Sequence, residues 1–389
     1  MMKIPITKPF FGEEERRAIL EPLESGWVVQ GPKVAEFENA FAKYAGTENA
    51  VATTSCTTAL EVALTALGVH AGDEVIVPAF TWVATANVVE LVGATPVFAD
   101  IDLETFNVDP AAVERAITPR TKVIMPVSLF GVSSPLGPIL ELARPRGIVV
   151  VEDDACAVGA RYRSKHAGTL ADIACFSFHP RKAITTGEGG MLITNDAAIA
   201  KLARSLRDHG ASVSDLARHA SARPYLLPDF EMVGYNFRMT DLQAAIGVVQ
   251  LSRLDWLLEQ RRRIAAAYDA VFEDWDWLTP QQVPADCVHG YQAYVCLFRP
   301  ERPTVGNVER LSSARNALMD RLQADGVATR PGTHAVHLLA YYARKYGVAP
   351  QDFPNAWMAD RLTVTIPLYS QMTDSEQEYV VTALLRARD

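Results

Sequence analysis

The sequence lacks the cysteine patterns that mark disulfide frameworks and zinc sites. Its five cysteines are scattered through the chain, and none forms a CxxC pair or a cysteine–histidine cluster with zinc-site spacing. The simplest interpretation is a set of free thiols in a reducing compartment. The five are Cys56, Cys156, Cys175, Cys287 and Cys296.

Runs typical of a secretion signal or a membrane span are also missing. Residues 1–5 contain no apolar core, and the longest apolar stretch, residues 75–98, is interrupted by Pro78, Asn87 and Glu90. The net charge of −9 argues against a surface for nucleic acid or anionic lipid. We therefore predict a cytoplasmic protein with no nucleic-acid or membrane partner.

The chain has no low-complexity tract and no internal repeat, and 49% of its 389 residues are hydrophobic. A chain of this length exceeds what one compact core usually holds, so we expect two domains. In the first half, short β-rich runs alternate with helical patterns, and most runs are continuously apolar, as in strands covered on both faces. The runs are Asn49–Thr53, Val75–Pro78, Pro96–Ile101, Val123–Ser128, Ile148–Asp153, Ile173–Phe178 and Met191–Asn195.

Strands that alternate with helices predict an α/β fold, a three-layer sandwich with a mainly parallel sheet of about seven strands. We assign this large domain to residues 1–250. Residues 240–272 predict one long helix, or two abutting helices, leading out of the sheet. Residues 251–389 mix shorter helices and strands and predict a smaller α+β domain, while the polar segment 211–228 predicts a surface insertion.

The candidate site is built from residues that follow the strands, because ligands of open parallel sheets bind beyond the carboxyl ends of the strands. After the first strand, residues 54–58 (Thr-Ser-Cys-Thr-Thr) lead directly into a predicted helix. Small hydroxyl residues at a helix N-terminus can seat a phosphate on free N–H groups. Ordinary helix capping is the more common role of such residues, and the sequence leaves both open.

Three acidic residues end the fifth predicted strand. Alternation along the strand puts Glu152 and Asp154 on one face and Asp153 on the other. A buried carboxylate there needs a cation or hydrogen-bond donors, which an arginine, a metal ion or a protonated ring nitrogen can supply. A structural ion pair is an equal alternative. Magnesium is disfavoured because no second acidic cluster has matching spacing.

Lys182 follows the next strand, in Phe176–Lys182, and precedes a glycine-rich turn, Thr185–Gly190. A lysine alone is usually a solvated surface residue. Desolvation in a crevice, however, lowers the pKa of its amine and lets it condense with an aldehyde. A phosphate seat, a carboxylate for a ring nitrogen and such a lysine together meet the requirements of pyridoxal 5'-phosphate (PLP).

Two further segments are consistent with a PLP site. Trp82 follows the second strand, where its indole can lie against a flat aromatic ring, although a core tryptophan is an equal alternative. Asn236 and Arg238 stand in a turn before the bridging helix, where simple capping is the alternative role.

These motifs resemble the DegT/StrS family of PLP-dependent sugar aminotransferases, which have the aspartate-aminotransferase fold (fold type I). The resemblance runs nearly end to end. Its most specific parts are Phe176–Lys182 with Thr185–Gly190, and Gly234–Met239 with Asp241–Ala245.

The resemblance implies a role for each residue of the cofactor site. Lys182 is expected to form the Schiff base with PLP and to act as general acid and base. Asp153 is expected to pair with the pyridine nitrogen and Trp82 to stack on the ring. The phosphate is then held by the backbone of Cys56 together with Thr57 and Ser177.

Further implied contacts involve a second subunit and the substrate. Asn236 is expected to reach the phosphate of the neighbouring subunit's cofactor, which makes the protein a homodimer with shared active sites. His337 corresponds to a histidine of the family's small domain and, with His179, is expected to contact substrate. No metal ion is implied.

The sequence departs from the family pattern at two positions. The phosphate loop commonly reads Ser-Gly-Thr, whereas here Cys56 replaces the glycine. Cys156 stands where glutamine or histidine commonly contacts the cofactor's phenolic oxygen. Because a thiol is a weaker hydrogen-bond partner, this contact is weakened, lost or taken over by water.

The resemblance implies transfer of an amino group from L-glutamate or glutamine to a keto sugar. The expected acceptor is a nucleotide-linked 4-keto-6-deoxyhexose in sugar, antibiotic or polysaccharide biosynthesis. Cyclitol ketones and keto-sugar acids are alternative acceptors. A PLP-dependent dehydratase is a second hypothesis, disfavoured because related dehydratases have lost the lysine.

Two hypotheses lie outside PLP-dependent catalysis of this kind. One is a PLP-binding regulatory or structural protein that has lost turnover, which retention of the motif residues disfavours. The other is an NAD-dependent dehydrogenase, which ranks last because no GxGxxG follows the first strand.

Overall fold

The computed structural model describes residues 2–388. Strands and helices alternate through the first half of the chain, as the hydrophobic pattern predicts. The strands are β1 Asn49–Thr53, β2 Glu74–Pro78, β3 Phe80–Thr81, β4 Thr95–Ala99, β5 Thr121–Ile124, β6 Val149–Asp153, β7 Arg161–Tyr162, β8 Lys165–His166, β9 Ile173–Ser177, β10 Gly190–Thr194, β11 Leu278–Pro280, β12 Cys287–Val288, β13 Tyr294–Phe298, β14 His334–Ala335 and β15 Thr363–Ile366.

The helices cover both faces of the large sheet and build most of the C-terminal part. They are α1 Glu13–Ala18, α2 Leu20–Ser25, α3 Pro32–Ala45, α4 Cys56–Ala66, α5 Ala84–Leu91, α6 Pro110–Ala116, α7 Leu136–Ala143, α8 Ala197–Leu206, α9 Asp215–His219, α10 Asp241–Ser252, α11 Leu254–Phe272, α12 Val308–Ala324, α13 Ala340–Tyr346, α14 Pro354–Leu362 and α15 Asp374–Arg388.

A seven-stranded sheet with the order β1-β10-β9-β6-β5-β2-β4 forms the centre of the molecule. Neighbouring strands from β9 to β4 are parallel, and β10 runs antiparallel between β9 and β1. The seven predicted strands and the predicted fold class are therefore confirmed. Parallel strands need helical crossovers, and these crossovers cover the sheet on both faces.

The largest departure from the predicted strand bounds is in β5. The run from Val123 was expected to extend to Ser128, but β5 ends at Ile124. Pro126 explains the difference because proline has no N–H for a ladder hydrogen bond. The carbonyl of Pro126 still accepts from Asp153 N at 2.9 Å, so this segment stays beside β6.

Two abutting helices lead out of the sheet, as one of the two alternatives predicted. α10 ends at Ser252 and α11 begins at Leu254. Beyond them, β11, β13 and β15 form a separate antiparallel sheet with its own hydrophobic cluster. A division of the chain into domains at residue 250 stays a prediction. Residues 211–228 contain the short helix α9 in a largely exposed segment.

Candidate active site

The predicted site residues come from different strands that end at the same edge of the sheet. Asp153 is the last residue of β6 and Ser177 the last of β9, and these strands are parallel neighbours. α4 begins just after β1, which is separated from β9 only by β10. This edge therefore collects the ends of three strands, as expected for a ligand site of an open sheet.

The N-terminus of α4 combines a capped helix with free backbone donors. Ser55 is the N-cap, and its Oγ accepts a hydrogen bond from Thr58 N at 3.2 Å. Ordinary helix capping is thus the role of the Ser55 side chain. Cys56 is buried and Thr57 half-buried in the first turn, where backbone N–H groups have no partner within the helix. These N–H groups and the positive end of the helix dipole favour the binding of an anion.

Gly190 brings β10 against the start of this helix. A Cβ atom at residue 190 would lie 2.3 Å from the carbonyl oxygen of Ser55 and 2.6 Å from Cys56 N. Only glycine permits this approach, so the last residue of the glycine-rich turn sets the position of the helix N-terminus.

Asp153 is a buried carboxylate held by neutral donors. Its Oδ2 accepts from Thr85 Oγ1 at 2.7 Å, and its Oδ1 accepts from Ala155 N at 3.2 Å. The Cys56 thiol lies 3.9 Å from Oδ1 and links the aspartate to the start of α4. Burial raises the pKa of Asp153, while the Thr85 hydrogen bond and the charge of Lys182 act in the opposite direction.

Lys182 lies beside the segment that follows Asp153. Its Nζ donates to Cys156 Sγ at 3.1 Å, and Cys156 is only three residues after Asp153. The side chain is half-buried, so its amine is not a freely solvated surface group. The aspartate thus contacts the start of α4 directly, and the lysine contacts Cys156, three residues after that aspartate.

Trp82 follows β3 and lies beside the C-terminal part of the chain. The indole is 57% exposed, and its ring centroid lies 5.7 Å from that of His334. β3 and β14 pair antiparallel, with Thr81 opposite His334. Because the indole is exposed, Trp82 is not a core residue, and its ring is available to stack on a flat aromatic ligand.

Ser177 and His179 lie between the strand end and Lys182. Ser177 is buried and its Oγ accepts from His179 N at 3.4 Å. His179 Nδ1 accepts from Arg181 N at 3.2 Å. Burial lowers the pKa of His179, and the charges of Lys182 and Arg181 lower it further, outweighing the opposite effect of Glu188.

Two predicted residues lie away from these contacts. Asn236 is exposed on the segment before α10, where its backbone bridges Asp208. His337 is fully buried, with its ring 4.8 Å from that of Phe353 and 6.4 Å from that of Phe98. Burial lowers the pKa of His337 to about 4, so the ring is neutral at pH 7. Their roles stay predictions.

The other face of β6 carries a buried acid pair. Glu152 accepts from Ser134 Oγ at 3.2 Å and from Gly168 N at 3.0 Å. Neither carboxyl oxygen of Asp154 has a hydrogen-bond partner within residues 2–388. Burial raises the pKa of Glu152 to about 7, and burial beside Glu152 raises that of Asp154 well above its usual range.

Some residues of the pocket are not marked by any motif. Thr85 contacts Asp153 across 68 positions, and its only sequence signal is the spacing of four from Thr81, whose Oγ1 lies 3.0 Å from its own. Arg181, which adjoins Lys182 in sequence, lines a small cavity together with Arg330, and nothing in the sequence pairs these two arginines. That proximity depends on how the C-terminal part packs against the sheet.

The donor set fits PLP. The helix N-terminus offers N–H groups to a phosphate, and the buried Asp153 carboxylate forms no ion pair within residues 2–388, so a protonated pyridine nitrogen would compensate its burial. Lys182 has a half-buried amine at the same pocket. PLP-dependent aminotransferases are the class that this fold and this donor set define.

The chain belongs to the DegT/DnrJ/EryC1/StrS aminotransferase family, whose model matches residues 9–385. The family resemblance is thereby confirmed, and the protein is a PLP-dependent transaminase that acts on small molecules.

Two relatives match almost the whole chain. Spore coat polysaccharide biosynthesis protein SpsC of Bacillus subtilis (strain 168) is 39% identical over 381 residues, which are 98% of this chain and 96% of that protein. GDP-perosamine synthase of Caulobacter vibrioides is 40% identical over 384 residues, 98% of this chain and 97% of that protein. Both names concern sugar biosynthesis, in agreement with a family of sugar aminotransferases.

Solved structures agree with the fold and the cofactor. Spr1654 of Streptococcus pneumoniae, a proposed sugar aminotransferase in its PLP form, has a TM-score of 0.90 at 30% identity and covers 100% of this chain and 99% of its own. DesV of S. venezuelae has a TM-score of 0.87 at 30% identity and covers 100% of both chains. Within residues 2–388, none of the helices is long and apolar enough for a bilayer crossing.

Proposed function

We propose that this enzyme transfers an amino group from L-glutamate or L-glutamine to a keto sugar, with Lys182 as its catalytic residue. The observation that carries the proposal is the contact of Lys182 Nζ with Cys156, in the segment that Asp153 begins. Asp153 in turn reaches the start of α4 through the Cys56 thiol. These two contacts support a common site for the proposed lysine, ring-nitrogen partner and phosphate seat.

When bound, PLP supplies an aldehyde that condenses with amines and a ring that withdraws electrons from the reacting carbon. The residues of the chain then have separate roles. Asp153 would keep the pyridine nitrogen protonated, and the Cys56 backbone, Thr57 and Ser177 would hold the phosphate. Trp82 would stack on the ring. Lys182 Nζ takes the proton from the donor's α-carbon and later delivers one to the carbon that receives the amino group.

The acceptor proposed is a nucleotide-linked 4-keto-6-deoxyhexose. The names of GDP-perosamine synthase and SpsC support a sugar-biosynthetic substrate. His179 and His337 are the proposed substrate contacts, and Asn236 the proposed contact with the cofactor phosphate of the other subunit in a homodimer. A cytoplasmic location and the absence of nucleic-acid and membrane partners belong to the same proposal.

Borohydride reduction of the holoenzyme, followed by proteolysis and mass spectrometry, tests the lysine. A pyridoxyl mass is expected on the peptide that contains Lys182. Lys182→Ala is expected to lower amino-acid-dependent keto-acid release by about 1,000-fold or more, because the proton transfer loses its acid–base group. Lys165→Ala is the matched control, since Lys165 is an exposed lysine of β8.

A pyridoxyl mass on another peptide, or full turnover of Lys182→Ala, would refute the assignment. The acceptor is tested by single turnover of the aminated enzyme with panels of keto sugars, cyclitol ketones and keto-sugar acids. Preference for a nucleotide-linked 4-keto sugar is expected. Release of a deoxygenated sugar without keto acid would indicate the dehydratase instead.

A further inference from the structure

Cys156 differs from the other four cysteines in its surroundings. It is half-buried, and within residues 2–388 it is the only thiol that accepts a hydrogen bond from an amine, Lys182 Nζ at 3.1 Å. Burial raises the pKa of the other four thiols, so these stay protonated and unreactive at pH 7. The four are Cys56, Cys175, Cys287 and Cys296.

The contact between Cys156 and Lys182 joins two turns whose backbones are fixed by hydrogen bonds. Ala157 N donates to the carbonyl of Asp154 at 2.9 Å, which closes the turn that contains Cys156. Lys182 N donates to the carbonyl of His179 at 2.8 Å, which closes the turn that ends at the lysine. The sulfur and the amine therefore meet without any change in the backbone.

Positive charge lies on more than one side of the Cys156 sulfur. Besides Lys182, Arg330 is close enough to interact with it electrostatically. Reactive cysteines typically lie in such electropositive, partly exposed surroundings. The half-buried Cys287 offers a contrast, because its Sγ lies 3.8 Å from Asp286 Oδ1 and burial beside this carboxylate raises the pKa of the thiol to about 12. Of the two half-buried thiols, Cys156 is thus the one placed for oxidation.

We propose that hydrogen peroxide converts the Cys156–Lys182 contact of the cofactor-free enzyme into a reversible sulfur–nitrogen bond that blocks attachment of PLP. The sulfur first attacks the peroxide: an S–O bond forms, the O–O bond breaks, and the second oxygen leaves as water with the thiol proton. The neutral amine then attacks the sulfur: an S–N bond forms, the S–O bond breaks, and the oxygen leaves as water with a proton of the amine. Sulfur loses two electrons, and the peroxide gains them.

The bond would occupy the amine that the proposed function assigns to PLP. Only this consequence rests on the proposed function, since the bond itself needs no more than the two side chains. Enzyme that carries PLP on Lys182 has no free amine there and is expected to resist. Two thiol molecules reverse the reaction, because they return the Cys156 thiol and the Lys182 amine and become a disulfide. Cofactor loading would thus follow the redox state of the compartment.

Peptide mass spectrometry of the full-length protein after peroxide treatment tests the bond. The cofactor-free wild type is expected to give a cross-linked pair of peptides that contain Cys156 and Lys182, lighter than their sum by two hydrogen atoms. Dithiothreitol is expected to release the pair. PLP is then added, and the visible absorbance of its Schiff base is expected to fall in proportion to the cross-linked fraction and to return with dithiothreitol. Enzyme loaded with PLP beforehand is expected to give no cross-link.

Three variants separate the contributions of the two side chains. Cys156→Ser is expected to give no cross-link and the same Schiff-base absorbance with and without peroxide. Lys182→Arg keeps the charge but cannot condense in this way, so its oxidised Cys156 is expected to remain a sulfenic acid that dimedone traps. Cys287→Ser, at the other half-buried cysteine, is the matched control and is expected to behave as wild type.

A disulfide between Cys156 and Cys56, or oxidation that adds only oxygen atoms to Cys156, would overturn the proposal. An equal peroxide-dependent loss of Schiff-base absorbance in wild type and Cys156→Ser would overturn it as well. A Cys156–Lys182 cross-link that leaves this absorbance unchanged would uphold the bond and refute Lys182 as the lysine that binds PLP.

Discussion

At the scale of single residues, the site depends on hydroxyl groups that orient a buried carboxylate. Thr81 Oγ1 lies 3.0 Å from Thr85 Oγ1, which donates to Asp153 Oδ2 at 2.7 Å. Since Asp153 is buried, this donor favours its ionised form over the neutral acid. An ionised Asp153 is what a protonated pyridine nitrogen requires as partner.

Thr85→Val tests this orientation with a side chain of nearly the same shape. Loss of a hydrogen bond to a buried charge costs about 1.5–3 kcal/mol, so the Kd for PLP is expected to rise about 10- to 100-fold. The pKa of Asp153 is expected to rise further. Equilibrium dialysis of PLP and the pH dependence of the holoenzyme spectrum measure the two effects. Thr85→Ser keeps the hydroxyl group. An equal loss of PLP affinity in the Thr85→Ser and Thr85→Val variants would contradict the prediction.

The buried acid pair behind Asp153 makes stability depend on pH. Burial raises the pKa of Glu152 from 4.5 to about 7. Between these values the folded state binds more protons than the unfolded state, so the free energy of unfolding falls as pH rises through this window. Its contribution is fully present below about pH 4.5 and lost above about pH 7.

Glu152→Gln is expected to flatten this dependence, because the amide stays neutral and keeps polar contacts to Ser134 and Gly168. Relative to wild type, the variant's free energy of unfolding is expected to rise by about 3 kcal/mol between pH 5 and pH 8. Urea unfolding at several pH values measures it. Glu141→Gln, at an exposed glutamate of α7, is the control. If the free energy of unfolding changed with pH in the same way for wild type and Glu152→Gln, the prediction would be wrong.

At the scale of secondary-structure elements, one close approach connects the glycine-rich turn with the phosphate seat. β10 reaches the first residues of α4 only because residue 190 has no side chain. Lys182 precedes this strand and Cys56 begins the helix, so the lysine segment and the helix N-terminus are held together by a backbone contact.

Gly190→Ala is expected to push β10 and α4 apart. The added methyl group would overlap backbone atoms, which cannot move aside as a flexible side chain can, and the expected loss is about 3 kcal/mol in the free energy of unfolding. PLP binding is expected to weaken in parallel. Gly306→Ala, where the nearest atom lies 3.8 Å away, is the control. Equal urea midpoints for both variants would contradict the proposed strand–helix contact.

The strands and helices show which features of the fold can be predicted from the sequence. The seven sheet strands were predictable because continuous apolar runs mark buried strands, and Asp153 and Lys182 because both follow such runs. Strand order is not contained in hydrophobic periodicity, so the antiparallel placement of β10 was not predicted. Thr85 was missed because its significance comes from a contact with Asp153, 68 positions away, which forms only when α5 packs against the sheet.

At the scale of the whole molecule, several large apolar side chains are exposed within one segment, residues 225–233. Leu227 is 84% exposed and Val233 is 94% exposed, and both precede Asn236, which is itself exposed. Such side chains are costly in a monomer and are typical of surfaces that a second chain covers. The concentration around residues 225–233 supports the proposed homodimer and puts Asn236 next to the proposed partner surface.

Complementation between two variants of low activity tests whether active sites are shared. Lys182→Ala and Asn236→Ala are each expected to lower turnover, the second mainly through weaker cofactor binding. If each site combines Lys182 of one subunit with Asn236 of the other, a heterodimer of the two variants has one doubly defective site and one intact site. Unfolding and refolding of an equal mixture then gives half heterodimers, so about one quarter of wild-type activity is expected to return.

Sites built within single subunits would give no recovery, because every site in the mixture would carry one defect. Refolding each variant alone controls for changes caused by the procedure, and an equal mixture of wild type and Lys182→Ala calibrates the yield. Since half of all lysines are intact in that mixture, about half of wild-type activity is expected whether or not sites are shared. Recovery in the two-variant mixture thus reports specifically on the contribution of Asn236 across the dimer.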